Sequence, residues 1–273
     1  MRRPPLPLFL VVLLAVSATV LVQASARAEP PASLFLEGLT SPELAAAIRS
    51  GKTTILVPIG GTEQNGPHMV LGKHNVRAKV LAGMIAQELG NALVAPVIAY
   101  VPEGGVNPPT GHMRYPGTIT VPSDAYRKVL DSAARSFRLA GFRDIVFLGD
   151  HGENQKDNEI VARQLNHEWA GSPVRAHAIV EYYRAATDGF DKSLKQRGYS
   201  DAEIGRHAGL ADTALALAVD PALVRPGEQQ STRSAPPGVS GDPRRATAEL
   251  GKLGIDMIVT QSAAAVRAAV ARR

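Results

Sequence analysis

The chain has no cysteine among its 273 residues. This absence excludes disulfide bonds, thiolate catalysis and thiolate-ligated zinc. It is compatible with an oxidising compartment but does not by itself place the protein in one. A metal site in this chain would therefore be built from imidazole and carboxylate ligands.

Aromatic and clustered basic residues are also scarce. Phe, Tyr and Trp make up 5% of the chain, and 30 Lys and Arg residues stand against 25 Asp and Glu residues. Three of the basic residues fall in the first 28 positions, which hold no acid, so the remainder has 27 basic residues and a formal charge of +2. No dense basic stripe interleaved with aromatics remains, which argues against a nucleic-acid partner.

The N-terminus has the pattern of a secretory signal. Arg2 and Arg3 precede an apolar run from Leu6 to Val22, and Ala26-Arg27-Ala28 supplies small residues for cleavage. We predict a cleaved signal peptide over residues 1–28, which makes the mature protein periplasmic or secreted, with no stable membrane anchor. The alternative is a retained anchor, because the apolar run is near the lower length that spans a bilayer.

Residues 29–273 are predicted to form a single domain, because no Ser/Gly-rich linker or charge block divides them. Apolar runs alternate with segments of helical period, which predicts a three-layer α/β/α fold with a mostly parallel sheet. The predicted strands are residues 53–59, 93–101, 117–121, 144–148 and 175–180. The predicted helices begin at or just after Ser41, Asn75, Ser123, Glu159, His207 and Asp242, and the polar segment 181–206 is a candidate lid.

Two of these strands end in loops rich in ligand-type side chains, at residues 60–75 and 149–154. The carboxyl ends of parallel strands meet at one edge of a sheet, so both loops are predicted to converge. Imidazole and carboxylate ligands together suit zinc, iron(II) or manganese(II), and a three-ligand site leaves a position for water. Loop His and Glu residues are otherwise often solvated or cap helices. The predicted metal-site residues are Glu63, His74, His151 and Glu153.

Three motifs give the chain a resemblance to a known family. Gly-Thr-Glu-Gln-Asn-Gly-Pro-His runs from Gly61 to His68, Tyr-Pro-Gly-Thr from Tyr115 to Thr118, and Gly-Asp-His-Gly-Glu-Asn from Gly149 to Asn154. In this order they resemble the creatininase (creatinine amidohydrolase) family. The resemblance implies an α/β metallohydrolase, often a homohexamer, that cleaves non-peptide or unusual amide C–N bonds. Family members open the creatinine ring, remove a formyl group from a pyrimidine intermediate or trim a cofactor-precursor peptide.

The resemblance also implies roles for individual residues. Glu63 and His151 match ligands of a first metal, and Glu153 matches a ligand of a second. The family usually has His at the position of Asn65 and a metal-bridging Asp at that of His74. A neutral imidazole offers one lone pair to one metal, and an amide is a poor transition-metal ligand. We therefore predict one metal per chain, zinc before iron or manganese, bound by Glu63, His74 and His151, with Glu153 as general base or fourth ligand.

The remaining site residues are also assigned through this resemblance. His207 matches a residue that shuttles a proton to the leaving nitrogen, a role suited to imidazole because its pKa lies near neutrality; a helix-capping role is the alternative. His112 and Tyr115 match pocket residues and are predicted to contact substrate, although ordinary loop packing also explains Tyr115. Three further residues, predicted to orient the site without binding the metal, are Asn65, Asp150 and Asp212.

These features predict an exported, metal-dependent amidohydrolase that acts on a small cyclic or linear amide. The resemblance adds a homo-oligomer, with a hexamer as the form the family often takes. One alternative is a peptidase that trims a precursor peptide. Another is a non-catalytic periplasmic binding protein on the same fold, because Asn65 and His74 depart from the family pattern.

Overall fold

Four parallel β-strands lie at the centre of the structure, a computed structural model that describes residues 33–231 and 237–272. The predicted signal segment lies outside these residues. The spatial order is β2-β1-β3-β4, and each neighbouring pair is parallel. β1 and β3 are central and buried along their whole length, as their apolar sequences predict. The strands are β1 (Thr54–Ile59), β2 (Ala92–Val94), β3 (Asp144–Gly149) and β4 (Arg175–Ala178).

Ten α-helices surround this sheet in the described part of the chain. They are α1 (Ser41–Arg49), α2 (Lys73–Leu89), α3 (Ser123–Ala140), α4 (Gln155–Glu168), α5 (Val180–Arg184), α6 (Phe190–Gln196), α7 (Asp201–Ile204), α8 (Leu210–Val219), α9 (Pro226–Ser231) and α10 (Ala248–Ala271). Short 3-10 turns lie at Leu36–Gly38, Gly111–Arg114, Gly152–Asn154 and Pro221–Leu223, and a π-helical turn, Ala185–Gly189, joins α5 to α6.

Alternating side chains along the strands divide the core between the two faces of the sheet. Leu56 and Val146 pack with residues of α2, α8 and α10 on one face. Ile55 and Phe147 pack with residues of α3 and α4 on the other. The predicted three-layer α/β/α fold with a parallel sheet is therefore confirmed.

The strand predicted over residues 93–101 is wrong beyond Val94, and residues 117–121 form no strand. After β2 the chain passes Pro96 and keeps only an isolated bridge to β1, in which Ile98 N–H donates to Pro58 O at 3.0 Å. Ile119 N–H donates to Thr62 O at 2.9 Å. The backbone of this region therefore bonds to the loop after β1 instead of extending the sheet.

Several helix starts also differ from the prediction. α2 begins at Lys73, and Asn75 does not cap it, because the Asn75 side chain accepts a hydrogen bond from Gly61 N–H at 3.0 Å. α4 begins at Gln155, before the predicted Glu159. α10 begins at Ala248, where Thr247 accepts a hydrogen bond from Leu250 N–H at 3.3 Å.

The segment 181–206 is mainly helical, and its bulky side chains belong to the core. Tyr182, Phe190 and Leu194 are buried against α8 and α10, on the face of the sheet that also packs against α2. These few side chains are large enough to anchor the segment in the core, although its sequence shows no regular apolar repeat. The segment also lies beside a cavity, which Tyr182, Tyr183 and Asp188 help to line, so its predicted position agrees with the structure. Its large side chains anchor it in the core, and its movement as a lid stays a prediction.

Among the described residues, α10 is the one helix long and apolar enough to cross a membrane. Of its most apolar stretch, 39% is buried inside the structure. Ile255, Ile258 and Val266 pack in the same part of the core as Leu56 and Val146 of the sheet. α10 is therefore a packing element of this fold.

Gly251 allows α10 to approach α8, because a Cβ atom there would lie 1.8 Å from the backbone oxygen of Ala214. We expect Gly251→Ala to lower the free energy of unfolding by about 1–3 kcal/mol through overpacking. The control is Gly227→Ala in α9, where an added Cβ meets nothing within 4 Å. That change should be neutral or stabilise by up to about 1 kcal/mol. Urea denaturation measures both, and equal stability of the two variants would contradict this account of the α8–α10 contact.

Candidate metal centre

Glu63 lies in the loop that follows β1 and is fully buried. Its N–H donates to Leu71 O at 3.1 Å, which closes the loop on itself. β3 pairs with β1 up to Ile59 and Gly149, and Asp150 N–H donates to Ile59 O at 2.9 Å. The two loops therefore leave the sheet side by side.

Glu63 Oε2 lies between two imidazoles. It is 3.3 Å from Nε2 of His112 and 3.3 Å from Nε2 of His151. The three residues can place one donor atom each within 4.8 Å of one another. Glu63 Oε2 is buried and has no hydrogen-bond partner among the residues that the structure describes. A buried carboxylate oxygen without a partner, facing two imidazole nitrogens, fits a divalent transition metal.

His112 comes from the 3-10 turn in the long loop between β2 and α3. Its backbone oxygen accepts a hydrogen bond from Thr118 Oγ1 at 2.9 Å, and its Nδ1 lies 2.9 Å from Gln64 Nε2. The Gln64 amide also donates to Gly238 O at 2.8 Å. The ring is therefore fixed from two sides. The sequence predicted that His112 contacts the substrate. In the structure, His112 is one of the three residues that could hold a metal.

His74, in the first turn of α2, does not belong to that group. Its Nε2 lies 2.7 Å from Glu63 Oε1, and its Nδ1 lies 2.5 Å from Asp150 Oδ2. Both ring nitrogens are therefore engaged by carboxylates. In this geometry His74 holds Glu63 from behind, and a metal ligand at this position would first have to break one of these bonds.

A buried network of charges continues behind His74. Arg77 donates from Nε to Asp150 Oδ2 at 2.8 Å and from Nη1 to Asp212 Oδ1 at 2.9 Å. Lys73 Nζ lies 2.6 Å from Asp212 Oδ2. Burial raises the pKa of Asp212, but the charges of Lys73 and Arg77 outweigh burial and hold that pKa well below its ordinary value. The network thus stays ionised and supports the loop that carries Glu63.

Burial and neighbouring charges shift the pKa values inside the cluster. Burial raises the pKa of Glu63, but interactions with His74 and His151 and the charge of Lys73 outweigh this and hold it below its ordinary value. Burial lowers the pKa of His151, but Glu63, Glu103 and Glu153 outweigh this and raise it to about 9. Without a metal, the His151 imidazole therefore supplies positive charge beside Glu63.

Glu103 is the site residue that sequence reasoning missed. It is fully buried, and its Oε2 lies 3.3 Å from His151 Nε2. Burial raises the pKa of Glu103 to about 8, with the charges of Glu63 and Glu153 adding to the effect and His151 opposing it. The signal was present, since an apolar run ends in Pro102-Glu103-Gly104-Gly105, as at the other two strand ends.

His207 lies immediately before α8 and borders the cluster. Its Nε2 lies 2.9 Å from Gln64 O, its Nδ1 lies 3.6 Å from Glu63 Oε1, and its ring lies 4.2 Å from that of His112. Burial and the charge of Lys73 lower the pKa of His207 to about 4, against the opposing charges of Glu63 and Asp212. Asp212 accepts from Ala208 N–H at 3.0 Å, so it fixes the backbone next to His207 and not the imidazole.

Besides His74, two residues that were predicted to bind the metal or the substrate, Glu153 and Tyr115, lie outside the cluster, and Asn65 contacts the loop of Glu63 without facing the candidate metal position. Glu153 is exposed, and its contact with the site is a backbone N–H that donates to His151 Nδ1 at 3.4 Å. Asn65 donates to Glu63 O at 2.9 Å and to Val70 O at 3.0 Å, so it shapes the loop. Tyr115 follows the 3-10 turn in extended backbone and is absent from the residues that line the cavity.

A cavity of about 740 Å³ opens onto the cluster. Its floor includes Glu63, His112 and His151, and its walls come largely from α5 to α8. The other polar residues that line it include Glu153, Tyr183, Asp188, Asp191, Arg206 and His207. A small molecule in this cavity would lie directly against the carboxylate and the two imidazoles.

A parallel sheet that gathers a buried carboxylate and imidazoles at the carboxyl ends of its strands defines an α/β protein with a candidate metal centre. The chain belongs to the creatininase family, since the family model, described as creatinine amidohydrolase, matches residues 37–266. The resemblance seen in the motifs is thereby confirmed.

Two curated relatives carry different hydrolase names. The mycofactocin precursor peptide peptidase of Mycolicibacterium smegmatis is 29% identical over 210 residues, which cover 73% of each chain. The creatinine amidohydrolase of Pseudomonas putida is 25% identical over 199 residues, which cover 70% of this chain and 74% of that one. The chain is therefore a creatininase-family hydrolase.

Solved creatininase structures share the fold and are named with metals. A manganese creatininase has a TM-score of 0.69 at 24% identity and covers 86% of this chain and 98% of its own. A mutant creatininase of Zn-Zn type has a TM-score of 0.69 at 24% identity, over 86% and 97% of the two chains. In this chain, Glu63, His112 and His151 form a group that could hold a metal ion.

Arg77 is buried and bridges two carboxylates, the buried Asp150 and the partly buried Asp212, so its removal should be costly. We expect Arg77→Met to lower the free energy of unfolding by about 3–5 kcal/mol, because Asp150 and Asp212 are left without their shared cation. The matched control is Arg135→Met. Arg135 also binds two carboxylates, Asp131 and Glu168, but its side chain is 42% exposed.

We expect the Arg135 change to cost at most about 1 kcal/mol, since water screens exposed ion pairs. Urea denaturation of both variants makes the comparison. A loss at Arg77 no greater than that at Arg135 would show that the buried network does not support the fold.

Proposed function

We propose that this protein is an exported, metal-dependent amidohydrolase that binds one divalent cation per chain and hydrolyses a C–N bond of a small cyclic or linear amide. The observation that carries the proposal is Glu63 Oε2, buried without a hydrogen-bond partner and 3.3 Å from Nε2 of both His112 and His151. Carboxylate with imidazole favours zinc, with manganese or iron as alternatives. The zinc and manganese creatininase structures support the same choice.

Glu63, His112 and His151 would hold the cation at the floor of the cavity. A divalent cation supplies a Lewis acid there, which makes water more acidic and polarises a carbonyl group. His74 keeps Glu63 oriented through its 2.7 Å contact with Oε1, which leaves Oε2 turned to the two imidazoles. Substrate in the cavity would thus place its amide carbon next to this group.

His207 is placed to move a proton to the departing nitrogen, starting from the neutral ring, because burial and the charge of Lys73 lower its pKa to about 4. Its Nε2 lies 2.9 Å from the backbone oxygen of Gln64, which can only accept, and 3.1 Å from the Gln64 amide nitrogen, which also donates to Gly238 O. We therefore assign the proton of the neutral ring to Nε2, which leaves Nδ1 free to accept one. Nδ1 faces the cluster, 3.6 Å from Glu63 Oε1. A proton accepted on Nδ1 could then pass to an amine leaving from the same side of the cavity.

A second candidate is a peptidase that uses the same centre. The relative from Mycolicibacterium smegmatis named as a precursor peptide peptidase supports it. A cavity of about 740 Å³ is also large enough for more than one small ring. Release of a terminal fragment from short peptides, without hydrolysis of cyclic amides, would favour this candidate.

We also propose that residues 1–28 direct export and that the mature chain forms a homo-oligomer, of which a hexamer is the form to test first. Tyr100, Val106 and Leu139 are 62%, 66% and 90% exposed and are the first residues to substitute when a subunit interface is sought. Cell fractionation tests export, and light scattering on the purified protein tests the subunit number. A cytoplasmic protein or a monomer would contradict the respective part.

Metal content and turnover test the central proposal together. We expect protein purified without residues 1–28 to bind about one zinc per chain and to hydrolyse at least one member of a panel of cyclic amides and formamides. Glu63→Gln should lower zinc affinity and turnover by more than about 100-fold, because it removes the central ligand. Glu37→Gln, at a half-exposed surface position, should change neither.

Two zinc ions per chain in elemental analysis would contradict a single metal. Zinc binding without hydrolysis of any amide or peptide would favour the non-catalytic binding protein. Full activity in Glu63→Gln would exclude this cluster as the catalytic centre.

A further inference from the structure

We propose that Glu103 is a fourth ligand of the same centre, which makes it a site of two carboxylates and two imidazoles. This inference deepens the proposed function and depends on a metal being bound by Glu63, His112 and His151. It assigns the fourth position to the loop after β2, and not to the strand-end motif that contains Glu153.

The first argument is the spacing around His151. Glu63 Oε2 and Glu103 Oε2 each lie 3.3 Å from Nε2 of this one residue. Neighbouring ligand atoms around one tetrahedral zinc lie about 3.4 Å apart, given bond lengths near 2.1 Å. Both carboxylates therefore lie at a ligand-to-ligand distance from His151. Glu103 is not in the group of donor atoms that lie within 4.8 Å of one another, so its carboxylate would turn toward His112 to share the ion.

The second argument is the lack of any other partner for the Glu103 carboxylate. Glu103 is fully buried, and neither Oε1 nor Oε2 has a hydrogen-bond partner within the described residues. A buried carboxylate is costly unless it is paired or coordinates a metal. With Glu63 Oε2, this makes three buried carboxylate oxygens without a hydrogen-bond partner among the described residues, and two of them lie 3.3 Å from His151 Nε2. A divalent cation would satisfy this arrangement.

The third argument is that the surrounding chain is shaped to hold Glu103. A Cβ atom at Gly61 would lie 2.6 Å from Glu103 Oε1, so the missing side chain there makes room for the carboxylate. Glu103 N–H donates to Thr120 Oγ1 at 2.9 Å, and that hydroxyl donates to Gly104 O at 3.1 Å. The loop that places His112 thus also places Glu103.

Glu153 offers a direct comparison, because the resemblance to the family assigned a metal ligand to that position. It is exposed, and the hydrogen bond that it makes to His151 comes from its backbone N–H. Its side chain is not needed for that bond. The proposal therefore predicts weaker Zn²⁺ binding when Glu103 is replaced and unchanged binding when Glu153 is replaced.

The experiment measures Zn²⁺ affinity by competition with a chromophoric chelator, and the visible absorption of the Co²⁺-loaded protein, for wild type, Glu103→Gln and Glu153→Gln. We expect Glu103→Gln to weaken Zn²⁺ binding by at least about 100-fold and to change the Co²⁺ spectrum, as the loss of a ligand would. Glu153→Gln should stay within about threefold of wild type and keep the spectrum. Thermal unfolding without metal shows that each variant is folded.

Gly61→Ala is a second variant that keeps the chemical identity of every candidate ligand. Its added Cβ would displace the Glu103 carboxylate, so it should also weaken Zn²⁺ binding and alter the Co²⁺ spectrum. If Glu103→Gln does not fold, Gly61→Ala and Glu103→Asp decide the question by the same two measurements.

Wild-type affinity in Glu103→Gln, or a loss confined to Glu153→Gln, would overturn the assignment. Zn²⁺ binding that depends on Glu103 in a protein that hydrolyses no amide would support the assignment and contradict only the proposed function. No Zn²⁺ binding by the wild type would overturn both.

Discussion

The burial of Glu63 is the constraint on which the rest of the site depends. Its carboxylate is fully buried, and its two oxygens are used differently. Oε1 is held by His74 at 2.7 Å, whereas Oε2 faces two imidazoles and has no hydrogen bond. A charge in such a place needs a compensating cation. The chain supplies Lys73 and Arg77 behind the site, and the open side of Glu63 is where a metal would complete the balance.

The fold explains why these groups meet. β1 and β3 are neighbours in a parallel sheet, so the loops after Ile59 and Gly149 leave from the same edge. The loop after β2 reaches that edge from the other side of β1 and supplies two more groups, Glu103 and His112. Helix α8 closes the site, because Asp212 in its first turn fixes the backbone beside His207. Sheet order, and not closeness in sequence, thus assembles the cluster.

The sequence predicted the fold class and the loops after β1 and β3, because buried parallel strands leave strong apolar runs and end in glycine. It could not show which His and carboxylate residues of those loops face the candidate metal position. His74 lies one turn into α2, and only the folded chain shows both of its nitrogens against Glu63 and Asp150. Glu103 lies where an apolar run ends in glycines, as at the other two strand ends. The strand there has only three residues and an irregular stretch precedes Glu103, so the sequence did not show that it joins the site. Irregular loops take their conformation from long-range contacts that local sequence does not encode.

Anomalous diffraction at the zinc edge, on crystals of the protein grown with Zn²⁺, tests the account of the site most directly. It locates the metal without reference to activity. The account predicts one peak per chain, within bonding distance of Glu63 Oε2 and Nε2 of both His112 and His151, with His74 still bound to Glu63 Oε1. A peak coordinated by His74, or none near Glu63, would contradict it.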